Sequence, residues 1–103
     1  MKKIINRKVY NTETAELLGK YWNSLGNDDF NYLHEELYIT KKGNMFLWYS
    51  GGALSKYGES GYGCGWGTEG IIPLEPEEAY EWLEKNDCNE VIEKYFADKL
   101  EEA

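Results

Sequence analysis

The chain is short of the residues that usually carry chemistry. Among its 103 residues there is one histidine, His34, and there are two cysteines, Cys64 and Cys88. No H-x-x-H, C-x-x-C or EF-hand spacing occurs, so no metal centre is expected. Two cysteines do not make a disulfide framework, and both are expected as free thiols. His34 stands beside Glu35 and Glu36, with no spacing that ties it to Ser50, Ser55, Ser60 or Cys64. A nucleophile–base–orienter set is therefore missing, and neither an enzyme nor a cofactor is expected. Asp28-Asp29 and Glu35-Glu36 read as solvated loop charges rather than as an acid–base pair. No apolar run approaches the roughly 18 residues that span a bilayer, and MKKIINRKVYN lacks the apolar core of a secretory signal. The expectation is a cytoplasmic protein without a membrane partner.

What is present suits one compact domain over residues 1–103. Hydrophobic residues make up 42% and aromatic residues 16% of the chain. Charge is distributed unevenly. Residues 1–68 hold eight Lys/Arg against seven Asp/Glu, whereas residues 69–103 hold three lysines against twelve Asp/Glu. The net charge of −8 thus belongs to the C-terminal third. Such a field repels nucleic acid and attracts basic surfaces.

KIINRKVY (3–10) reads as a short strand or a strand-turn-strand. In NTETAELLGKYW (11–22), Asn11 or Thr12 can cap a helix, and Ala15, Leu18, Tyr21 and Trp22 recur at helical spacing. A helix is predicted there, with Gly19 weakening it. Glu36–Thr40 and Asn44–Tyr49 read as a hairpin about Lys41-Lys42-Gly43-Asn44. Met45, Leu47 and Tyr49 alternate with Phe46 and Trp48, so this second strand is expected to be covered on both faces. Gly70–Leu74 reads as a short strand whose ladder Pro73 stops. Pro76 then opens a helix with Glu77 and Glu78 in its first turn, and Asp87 with Glu90 resembles a capping box for a last helix. The predicted fold is α+β in the order β-α-β-β-β-α-α: three or four antiparallel strands packed with about three helices.

Residues 49–70, YSGGALSKYGESGYGCGWGTEG, hold eight of the eleven glycines. Gly65-Trp66-Gly67-Thr68-Glu69-Gly70 matches G-x-G-x-x-G, but a nucleotide loop requires a helix to follow, and here Ile-Ile-Pro-Leu follows. Tyrosine, glycine and serine are also the composition of recognition loops, so Tyr57, Tyr62 and Trp66 are candidate partner contacts, if they do not fold back onto the domain.

Four stretches carry a resemblance: Tyr10–Glu16, Leu37-Tyr38-x-Thr40-Lys41-Lys42-Gly43, Gly51–Tyr57, and Ile71–Leu74 leading to Glu78-Ala79-x-x-Trp82-Leu83. In order and over most of the chain, they resemble a group of small acidic proteins from phages and mobile elements of Firmicutes. The chain departs from that group in having Trp48-Tyr49-Ser50 before its Gly-Gly pair. The resemblance implies a protein that binds a host protein, as anti-CRISPR inhibitors do. No catalytic residue comes with it. Combined with the charge layout, the leading expectation is a non-enzymatic inhibitor without direct nucleic-acid binding. It would present Glu77, Glu78, Glu81, Glu84, Asp87, Glu90 and Glu93 to a basic surface, such as that of a nuclease or CRISPR effector. The alternatives are a small-ligand binder or enzyme using loop 49–70, and a structural homo-oligomer.

Overall fold

The computed structural model describes residues 1–26, 28–61 and 64–103, with only the backbone described over 59–61 and 64–66. Eight strands and two α-helices appear in chain order: β1 Lys2–Ile5, β2 Lys8–Asn11, β3 Glu16–Trp22, β4 Leu33–Ile39, β5 Met45–Gly51, β6 Glu59–Gly61, β7 Cys64–Trp66, β8 Thr68–Leu74, α1 Pro76–Lys85 and α2 Asn89–Tyr95. A 3₁₀ turn, Ala97–Lys99, follows α2. The molecule is thus mostly β, with its helices confined to the C-terminus. This corrects the expected α+β order and its count of three helices.

The centre is a four-stranded antiparallel sheet in the order β3-β4-β5-β8. The hairpins β1-β2 and β6-β7 stand apart from it. Register assigns the two faces. Leu37 opposite Leu47 and Ile39 opposite Met45 share one face, and Tyr38 opposite Phe46 lies on the other. The first face packs on Ala79 and Leu83 of α1, with Ile92 and Phe96. The second is covered over part of its area by the β1-β2 hairpin, whose Tyr10 joins Tyr38, Phe46 and Ile71. Tyr10 meets the Phe46 ring edge-on at 5.4 Å, while Tyr38 stacks on it at 5.3 Å. β5 therefore is apolar on both sides because each side has its own cover.

The largest correction concerns residues 12–22. The predicted helix is an edge strand, β3. Asn11 caps only a turn there, its Oδ1 accepting from the Glu13 N–H at 2.9 Å. Ala15 and Leu18, which helical spacing places together, go to opposite faces: Ala15 to the hairpin cluster and Leu18 to the helix cluster. A bulge between Leu17 and Gly19 breaks the strict alternation that would have marked a strand. Gly19 marks a close approach, for a Cβ there would lie 2.9 Å from Cys88 Sγ and 3.1 Å from the Trp82 ring. Pro73 does not end β8. It pairs opposite Phe46 within the ladder, on an edge strand, where a residue without an N–H is tolerated. Asp87 is not the cap of α2; that position is Cys88, and Asp87 has φ 55° in the connection.

Gly19→Ala separates the two structures of this segment. In an exposed helix it would stabilise by up to about 1 kcal/mol. Beneath Trp82 it is expected to destabilise by about 1–3 kcal/mol, through overpacking, in a urea titration.

Candidate functional site

Helix α1 starts at Pro76, whose fixed φ suits the first helical position. Glu78 folds back so that its carboxylate accepts the Glu75 N–H at 2.9 Å, a reciprocal cap at the helix start. With Ala79 and Leu83 buried against the sheet, Glu77, Glu81 and Glu84 fall at i, i+4 and i+7 on the outward side. Asp87, Glu90 and Glu93 continue the acidic surface across the connection and α2. All seven expected acidic contacts are exposed. Some are engaged within the layer. Lys99 Nζ lies 3.1 Å from Glu77, and the Tyr80 hydroxyl donates to Glu84 at 2.7 Å, which raises the tyrosine pKa. Among the described residues, Glu81, Asp87, Glu90 and Glu93 have no cation within ion-pair distance.

The glycine-rich segment divides in two. Residues 52–58 fold onto the helix-bearing face as a compact turn in which several backbone donors are already used. Gly52 N–H donates to Tyr32 O at 2.8 Å, Leu54 N–H to Phe30 O at 2.6 Å, and Gly58 N–H to Ser55 O at 3.0 Å. A Cβ on Gly52 would run into the Asp29 and Phe30 carbonyls, so glycine here permits backbone contact. Ser55 is likewise committed, donating from Oγ to Gly52 O at 2.7 Å. Tyr57 turns inward: its ring stacks on Tyr49 at 4.0 Å and its hydroxyl donates to Glu35. Beyond it comes the short β6-β7 hairpin, which was expected to be plain loop. Tyr62 and the side chains of Cys64 and Trp66 lie outside the described residues. Cys88 is a free, half-buried thiol, its pKa raised by burial and by Asp87.

Glu35 was not expected in the core. It is 4% exposed and accepts from Trp82 Nε1 at 3.1 Å, from Lys56 Nζ at 2.8 Å and from the Tyr57 hydroxyl. Its neighbour Glu36 points to the other face, 3.1 Å from His34 Nε2 and accepting from the Tyr38 hydroxyl at 2.5 Å. The pair of adjacent acids is thus split by the sheet rather than solvated in a loop. The signal was alternation: Leu33, Glu35, Leu37 and Ile39 share one side of β4. Burial by itself pushes the Glu35 carboxyl up, but donation from Lys56, Tyr57 and Trp82 outweighs it and holds the group below its ordinary 4.5. Burial and the facing carboxylates push the Tyr57 and Tyr38 hydroxyls well up. Among the described residues, no three His, Cys, Asp or Glu side chains converge as a metal site requires, and no helix is long and apolar enough to cross a membrane.

Because Glu35 titrates lower in the folded chain than unfolded, its contribution is present above pH 4.5 and is lost as pH falls through the depressed value. Glu35→Gln should weaken the fold at neutral pH and flatten the acid limb of the stability curve below pH 4.5, measured by urea denaturation across pH. Glu35→Ala should cost about 2–3 kcal/mol, since Trp82 and Tyr57 lose their acceptor.

Comparison with known protein families, with characterised proteins and with solved structures finds no match to this chain.

Proposed function

We propose that this chain is a non-enzymatic protein-binding module that presents the outer face of α1 and α2 to a basic surface on a partner. The observation that carries this is the exposure of all seven carboxylates on one helical layer, held in place by the packing of Ala79, Leu83 and Ile92 on the sheet. A rigid scaffold makes such a layer efficient, because little conformational freedom is lost on binding. In the setting implied by the resemblance to phage and mobile-element proteins, the partner is a host nucleic-acid-handling protein met in the cytoplasm. A basic channel of a nuclease or CRISPR effector fits that description. The glycine-rich loop supports a small-ligand reading less well, since the N–H groups of Gly52, Leu54, Ser55 and Gly58 and the hydroxyls of Ser55 and Tyr57 are occupied within the domain.

The test compares wild type with Glu77→Lys/Glu81→Lys/Glu84→Lys in affinity capture from host-cell extract at low and high salt. Glu78 is left intact because it caps α1. A partner retained by wild type should be lost from the variant and lost from wild type as salt rises, since exposed charges are screened over about 8 Å at physiological ionic strength. A partner held equally by both proteins, or indifferent to salt, refutes the proposal.

A further inference from the structure

Four of the eleven cations of the chain gather where two turns meet. Arg7, Lys8, Lys41 and Lys42 line one cleft of about 420 Å³, together with Thr14 and Thr40. Two turns build it: the tip of the β1-β2 hairpin and the β4-β5 turn. The hairpin is fixed over the second sheet face by Tyr10, which brings its tip beside residues 40–44. All four cationic side chains are exposed, and among the described residues none forms an ion pair or donates a side-chain hydrogen bond. Thr40 Oγ1 accepts from the Asn44 N–H at 3.1 Å, which leaves its own hydroxyl hydrogen to donate elsewhere.

A backbone feature points the same way. Asn6 and Arg7 both have positive φ, 50° and 67°, as a two-residue turn with left-handed central residues requires. Asparagine tolerates that region. The second position is ordinarily glycine, because a Cβ there is strained. This chain places its only arginine at that position. The strain is retained where the guanidinium can reach the cleft.

We propose that this cleft binds the phosphate group of a polyphosphorylated ligand, with Arg7 as the bidentate donor and Lys8, Lys41 and Lys42 supplying charge. Planar guanidinium matches phosphate oxygens in pairs, and flanking ammonium groups add non-directional attraction. Carboxylates stand nearby, since Lys8 borders a neighbouring pocket with Glu75 and Lys41 borders another with Glu16, so the four cations must hold an anion against two adjacent acids. The phosphate could come from a free nucleotide or from a nucleic-acid backbone.

The substitution Arg7→Gly tests this well, because it creates the turn pair that the hairpin geometry favours and so should leave the melting temperature no lower. Tripolyphosphate, ATP and a single-stranded oligonucleotide are titrated by calorimetry into wild type, Arg7→Gly and Lys41→Ala/Lys42→Ala. Expected is tripolyphosphate binding to wild type that weakens with salt and falls about tenfold or more in each variant. ATP binding as well as tripolyphosphate identifies a free phosphorylated ligand, and tighter oligonucleotide binding identifies a nucleic-acid backbone; either supports the phosphate site. No tripolyphosphate binding, or equal binding by the folded Arg7→Gly protein, overturns it. So does loss, in these variants, of a self-association seen by light scattering without any anion bound.

Discussion

The Glu35 carboxylate joins β4, helix α1 and the turn after β5 at one buried point. It sits on β4, takes Trp82 Nε1 from α1, and takes Lys56 and Tyr57 from the turn after β5. A buried carboxylate is costly unless its lone pairs are filled, and three donors, one of them charged, offset that cost. The consequences spread outward. Trp82, held by its indole N–H, lies across β3 where a Cβ would meet its ring, so glycine is required at position 19. Tyr57, held by its hydroxyl, stacks on Tyr49 and closes the far end of the helix-bearing face. Lys56 remains 52% exposed, so water shares its charge, and the fold leans more on the two neutral donors.

The helices occupy one face and turn their carboxylates outward; the β1-β2 hairpin occupies the other and carries Arg7 and Lys8. A net charge of −8 describes the molecule as a whole and neither of its ends.

The parts legible in the sequence are those whose signals are local. The β4-β5 hairpin has a turn glycine between alternating runs, and α1 has a proline start, acids in its first turn and an apolar stripe. The acidic layer was legible too, because exposure is the default for charge. β3 was not, since its helical spacing was accidental and its bulge erased the strand period. Gly19 held the information, but its meaning depends on Trp82, which is far away in sequence. Glu35 was hidden by its neighbour: two adjacent acids look solvated until alternation is extended across them. The purpose of the glycines of 51–58, backbone packing against residues 29–32 and 53, needs the third dimension.

The second sheet face explains why Trp48 is aromatic without forming a core. The hairpin covers Tyr38, Phe46 and Ile71 and stops there, leaving Trp22 55% exposed at the far edge. Between those regions runs a polar chain along β4. Tyr32 approaches His34 Nδ1 at 3.4 Å, His34 Nε2 meets Glu36, and Tyr38 donates to Glu36 from beneath the hairpin. Trp48 bridges the boundary. Its ring meets His34 at right angles at 5.2 Å, and its Nε1 donates to Glu69 at 3.4 Å. An amphipathic ring belongs where one side is dry and the other wet. The alternation of aromatics in β5 thus records a sheet face that passes from core to solvent along a single strand, with each buried polar side-chain atom among the described residues paired along the way.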